Sequence, residues 1–147
     1  MPNSDLDGKI IFKMIKNFVK KNKNAHSFTS MGHLRFLSCL KYVDGVIGNS
    51  SSGLLEMPSF KKGTINVGDR QLGRLKAKSV IDVKPNKSEI IKGINTLYSK
   101  RFQTKIKNTK NPYGKGGASN KIIKLLRKIK LKNILKKKFY SLNIKCV

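Results

Sequence analysis

Apolar residues return at helical spacing through Ile11, Met14, Ile15, Phe18 and Val19, with lysines on the other face, and predict a helix over residues 8–21. The polar start before it, with Pro2, Asn3, Ser4, Asp5 and Asp7, reads as a loop carrying helix-cap residues. Residues 25–30 form a short strand candidate, Met31-Gly32-His33 a turn, and 33–41 a second helix with Leu34, Leu37, Cys39 and Leu40. Residues 43–48 read as a buried strand of the parallel-sheet type. A short helix follows that Pro58 limits, because an interior proline removes a backbone donor. Two more strands are predicted over 63–68 and 79–83, separated by a polar loop over 69–78. Asn86 or Ser88 caps a helix to about Tyr98, with Ile90, Ile91, Ile94 and Leu97 inward. Residues 108–120, with Asn-Pro-Tyr-Gly-Lys-Gly-Gly, are a loop, and a last helix from about Ala118 sets Ile122, Leu125, Leu126 and Ile129 on one face. Beyond Lys130 the periodicity weakens, and residues 131–147 fit either an amphipathic basic helix or a frayed end. Alternating helices and strands without internal repeats predict an α/β fold with a Rossmann-like parallel sheet and flanking helices.

The candidate chemistry lies where the strand over 43–48 ends. Gly48-Asn49-Ser50-Ser51-Ser52-Gly53 joins it to an apolar helical segment that carries Glu56. Ligands of open parallel sheets bind at the carboxyl ends of strands. A turn entering a helix offers free N–H groups and the positive end of the helix dipole, both suited to phosphate. Ser50, Ser51 and Ser52 add hydroxyls, and Gly53 admits close approach of a ligand to the backbone. The competing reading of the same residues is a serine-rich helix cap.

Composition narrows the partners. The chain has 147 residues, enough for one domain with a core. Lysine and arginine outnumber acids 33 to 7, and no acid follows Glu89. That balance fits nucleic acid or an anionic membrane surface, and equally a lysine-rich composition. Arginine leads specific base contacts and supplies only five of the basic residues, so specific nucleic-acid binding is not expected, nor is membrane contact of the tail. Cys39 and Cys146 are far apart and lack metal-ligand spacing, so no metal site and no cofactor are expected. No apolar run reaches membrane-spanning length, and a cytoplasmic protein is expected. His33 receives no role, and His26 reads as structural or exposed.

Four motifs in order carry a family resemblance. They are Pro2-Asn3-Ser4-Asp5; Gly48 to Gly53 with Glu56 and Pro58-Ser59-Phe60; Ile65-Asn66-Val67-Gly68-Asp69-Arg70-Gln71; and Asn111-Pro112-Tyr113-Gly114. Together they resemble the hydrolysing UDP-N-acetylglucosamine 2-epimerases over about residues 2–129, nearest to bacterial members of sialic-acid-type sugar synthesis. The resemblance implies a two-domain, GT-B-like architecture with the nucleotide sugar in the cleft, of which this chain is the C-terminal domain without its N-terminal domain. Residues 1–130 would then be a partial UDP-binding domain and 131–147 a basic tail. It implies that Ser50 and Ser51 with their amides meet the diphosphate and that Glu56 accepts from the ribose hydroxyls. Arg70 would bring charge to the nucleotide, Asn3 would sit at the cleft mouth, and the backbone around Met31 would face uracil. Read without the family, Glu56 is equally a solvated helix carboxylate, Arg70 with Asp69 a surface pair, and Asn3 a turn residue.

In this family the carboxylates that work on the sugar come mainly from the N-terminal domain, so no catalytic residue is assigned here. The expected ligand is UDP or a UDP-N-acetylhexosamine, and the chain alone is expected not to turn it over. Met1 immediately before Pro2-Asn3 suggests a split or truncated gene or an internal start. An N-terminal epimerase chain is the expected partner, and a homodimer is possible by family habit. The alternatives are a degenerate fragment and a basic module for nucleic acid or membrane surfaces.

Overall fold

The computed structural model describes residues 8–130, in two units divided between Tyr113 and Gly114. Asn3 and the basic tail over 131–147 lie outside the described residues.

In the first unit, three strands form a parallel sheet in the order β1 (Gly45–Gly48), β2 (Gly63–Val67), β3 (Val80–Val83). Gly45 pairs with Gly63 and Gly48 with Asn66, while Thr64 pairs with Val80 and Val67 with Val83. The helices here are α1 (Gly8–Lys21), α2 (Gly32–Leu40), α3 (Ser52–Leu55), α4 (Lys87–Tyr98) and α5 (Lys100–Lys107), and a 3-10 helix over Met57–Phe60 follows α3. Pro58 sits in the first turn of that 3-10 helix, where its missing N–H costs nothing.

β2 is central and covered on both faces. Its alternation sends Ile65 to one side, into a cluster with Val83, Leu97, Phe102 and Ile106. Thr64 points to the other side and meets α3. Gly63 has no side chain because Leu97 and Phe102 occupy its place: a Cβ there would lie 2.8 Å from Leu97 Cδ1 and 3.0 Å from Phe102 Cε1.

Asn86 caps α4, its Oδ1 accepting from the Glu89 N–H at 2.9 Å. The inward face is narrower than expected. Gly93 and Leu97 are buried and Ile90 packs against the cluster, but Ile91 and Ile94 are exposed. The tight approach of Gly93 to Val83 and Ile65 sets which stripe faces the sheet and turns those two isoleucines away. α5 was not expected from the pattern. Ser99 caps it, accepting from the Phe102 N–H, and Phe102 and Ile106 bury one turn apart between lysines.

Three features depart from the sequence reading. Residues 25–30 form no strand, since a strand exists only through a ladder partner and the described ladder joins β1 to β2 alone on that side. α1 has the expected bounds, yet its apolar stripe is uncovered among the described residues, with Phe18 61% exposed. Periodicity defines a face and does not supply what covers it. β1 likewise departs from a buried strand: it lies at the sheet edge, and Ile47 is 54% exposed.

A polar network ties β2 to β3. Asn66 Nδ2 donates to Asp82 Oδ1 at 2.7 Å, and Lys76 Nζ donates to the same oxygen at 2.8 Å. Burial pushes the Asp82 carboxyl up, but the hydrogen bonds from Lys76 and Asn66 and the Lys76 charge outweigh it and hold the carboxyl below its ordinary value. A carboxyl held low in the fold adds stability that is complete above the ordinary value and is lost as pH falls through the folded one. The side chain is 52% exposed, so the contribution is at most about 1 kcal/mol. Asp82→Asn is expected to lower the urea midpoint near neutral pH. The gap from wild type should close below about pH 4, and a gap unchanged by acid would contradict the linkage.

The second unit is described over residues 114–130 and holds α6 (Ala118–Leu126). It starts after Gly117 at φ 79, and Ile122, Leu125 and Leu126 are exposed. No helix among the described residues is long and apolar enough to cross a membrane.

Candidate functional site

β1 ends at Gly48 with φ +145, a backbone conformation that side chains rarely adopt, and this turns the chain into Asn49. The Ser50 carbonyl accepts from Gly53 N–H at 3.2 Å, and the Ser51 carbonyl accepts from Leu54 and Leu55, both at 2.9 Å. Ser50 Oγ accepts weakly from Ser52 N–H at 3.4 Å. The amides of Ser50 and Ser51 meet no acceptor among the described residues. α3 spans only four residues, so little dipole accumulates. The donors the loop offers are therefore individual amides and hydroxyls rather than a helix end.

Gly53 has a different reason from the one the sequence suggested. It is buried, and a Cβ there would lie 2.5 Å from Thr64 Cγ2. Thr64 Oγ1 also donates to the Gly53 carbonyl at 2.7 Å. The glycine lets α3 press on β2.

Glu56 follows α3 directly, and its N–H donates to the Ser52 carbonyl at 3.0 Å. Its Oε2 is buried and has no hydrogen-bond partner among the described residues. An acceptor left dry costs about 1–3 kcal/mol, so a donor from elsewhere would be well received. Arg70 is exposed in the turn after β2, and no hydrogen bond or ion pair among the described residues joins it to Asp69, the serines or Glu56. Met31 precedes α2 and is half-buried. Phe36 of α2 reaches the serine loop and, with Ile47, Gly48, Ser50, Ser52 and Thr64, lines a cleft of about 110 Å³. Ligand pockets begin at about 300 Å³, so this cleft by itself is too small for a nucleotide. A larger hollow of about 610 Å³ opens beyond β2 and β3 between Asp69, Lys76, Asp82 and Glu89. No group of three or more His, Cys, Asp or Glu among the described residues is placed to hold a metal.

Two residues that the motifs contained without a role now have contacts. Gln71 is 2% exposed, and its Nε2 donates to the Asn49 carbonyl at 2.7 Å. Asn111 Nδ2 donates to the Leu55 carbonyl and to Ser59 Oγ, both at 2.7 Å, while its Oδ1 accepts from Tyr113 N–H. Tyr113 in turn donates to the Leu75 carbonyl at 3.0 Å. The signal was a carboxamide beside Arg70 and another beside a proline; neither reveals its partner from sequence.

A parallel α/β sheet with a serine turn at a strand end defines a Rossmann-like class. Residues 1–127 match the family model described as UDP-N-acetylglucosamine 2-epimerase, and the chain belongs to that family. It is 40% identical over 141 residues to polysialic acid biosynthesis protein P7 of Escherichia coli, covering 95% of this chain and 36% of that protein. It is 42% identical over 142 residues to a GDP/UDP-N,N'-diacetylbacillosamine 2-epimerase (hydrolyzing) of Campylobacter jejuni, with the same shares, 95% and 36%. A UDP-N,N'-diacetylbacillosamine 2-epimerase (hydrolyzing) of Legionella pneumophila is 35% identical over 130 residues, 88% of this chain and 33% of that protein. The chain thus spans about a third of the length of these relatives.

Proposed function

We propose that residues 49–56 grip the UDP portion of a UDP-N-acetylhexosamine in hydrolysing 2-epimerisation, the conversion of UDP-N-acetylglucosamine to N-acetylmannosamine and UDP. The observation that carries this is the buried Oε2 of Glu56, unpartnered among the described residues, directly after a loop whose Ser50 and Ser51 amides meet no acceptor among them. The amides take the diphosphate and Glu56 accepts from the ribose hydroxyls. The Ser52 hydroxyl and the Gly53 backbone complete the loop, Arg70 adds positive charge, and the backbone at Met31 faces uracil. Asn3 belongs at the cleft mouth.

The reaction removes a proton from carbon 2, expels UDP and adds water, and it needs acid and base groups within hydrogen-bond reach. Asp44 accepts from Tyr98, Asp82 is held by Lys76 and Asn66, and Glu89 pairs with Lys92. None of these stands at the serine loop, and Glu56 is committed to ribose. The reading proposed here takes the groups that handle the proton from polypeptide beyond residues 8–130, as the family resemblance implies. A 2,4-diacetamido sugar is the second reading for the hexose, favoured by the names of the Campylobacter and Legionella relatives. Calorimetric titration of the chain with UDP is expected to show saturable one-to-one binding. Heat equal to dilution with folded protein would end the proposal.

A further inference from the structure

Both ends of the 49–56 segment are held by side-chain carboxamides that come from other loops. We infer that Gln71 and Asn111 are positioning residues of the nucleotide site, Gln71 for its diphosphate end and Asn111 for its ribose end; this rests on the reading of 49–56 as a nucleoside-diphosphate grip.

The Asn49 carbonyl and the Ser50 N–H belong to one peptide unit, which is planar, and the described chain holds no cis peptide bond. In a trans unit the two groups point in opposite directions. Fixing the Asn49 oxygen on Gln71 Nε2 at 2.7 Å therefore fixes where the Ser50 N–H points. The carboxamide has one workable orientation, because its flip would set Oε1 against a carbonyl oxygen. Gln71 is buried, so water cannot replace the donor. The bond bridges 22 residues, from the turn after β2 to the turn after β1.

The same geometry repeats at the other end. The Leu55 carbonyl, held by Asn111 Nδ2 at 2.7 Å, shares its peptide unit with the Glu56 N–H. That N–H already donates to Ser52, so both sides of the unit are anchored and the start of the Glu56 side chain is fixed. A second bond from Asn111 Nδ2 to Ser59 Oγ holds the 3-10 helix that follows. Two amides thus aim two different groups, and their losses should separate by ligand.

The test uses Gln71→Met, which keeps length and packing but loses the donor, and Asn111→Ala, each titrated with UDP and with uridine by heteronuclear NMR on the full chain. Gln71→Met is expected to weaken UDP about five- to tenfold and to change uridine less than about twofold, the scale of one lost hydrogen bond. Asn111→Ala is expected to weaken both ligands by a similar factor. In wild type, UDP should shift the Ser50 amide and the Gln71 side-chain NH₂ resonances, while uridine shifts the Glu56 amide and the Asn111 side-chain NH₂ and leaves Gln71 in place. That pattern is readable even if a variant fails to fold. Equal losses of UDP and uridine in Gln71→Met, no loss in either variant, or wild-type shifts without this division would overturn the inference while the site reading stands. Wild type that binds no UDP would overturn both.

Discussion

Glu56→Gln is expected to weaken UDP about ten- to a hundredfold while leaving the ligand-free fold about as stable as before. Hydrogen bonds to charged groups are worth about 1.5–3 kcal/mol, and each 1.4 kcal/mol is tenfold in affinity. A carboxylate accepts through both oxygens, so it can serve two vicinal hydroxyls. A carboxamide has one acceptor and presents a donor in the other place. Stability should change little, because Oε2 is buried without a donor among the described residues and the carboxamide loses no bond by setting an equally unpartnered NH₂ there. Lost affinity without lost stability is the mark of a group kept for a ligand. Calorimetry gives the affinity and a melting curve gives the stability. A fall in melting temperature with unchanged UDP affinity would make Glu56 a structural carboxylate instead.

Gly53→Ala is expected to destabilise the domain by about 1–3 kcal/mol, the range for a methyl group forced into a filled core. The new Cβ would lie 2.5 Å from Thr64 Cγ2, and Thr64 is buried with its rotamer held by the bond from Oγ1 to the Gly53 carbonyl. Neither side can turn away, so α3 must lift from β2. The remaining neighbours of that Cβ, Thr64 Oγ1 and Cβ, stand at 3.4 and 3.5 Å, ordinary contact distances. Thr64→Ser removes only the clashing methyl and keeps the hydroxyl. The double variant Gly53→Ala/Thr64→Ser should therefore recover most of the loss. Urea unfolding of the four proteins measures the coupling, and simple additivity would refute the steric account.

These contacts show which features the sequence disclosed. The strand predicted over 63–68 was legible as a run of β-forming residues between glycines, and β2 spans Gly63–Val67; that it, rather than β1, is the strand buried on both faces was not. The bounds of α1 and the Asn86 cap were legible because they depend on neighbours in sequence. α5 was hidden, since its only inward residues are Phe102 and Ile106 within a lysine-rich segment. The packing role of Gly53 was not legible, because nothing local shows that Thr64 lies beneath it. Gln71 and Asn111 were visible as motif members only. Their bonds reach 22 and 56 residues along the chain, and hydrophobic periodicity carries no information over that distance.

The serine loop is fastened to β2 through Thr64, to the next turn through Gln71 and to the segment before Gly114 through Asn111. It has no local interactions strong enough to exist apart from these. It therefore assembles only when the chain around it has folded, and it is lost when that fold is lost. A nucleotide held there binds the native state alone, and at a concentration one hundred times its dissociation constant it would add about 2.7 kcal/mol to the free energy of unfolding. Occupancy of one small loop would then register as a rise in the melting temperature of the whole sheet domain, which makes heat a ligand screen for this protein.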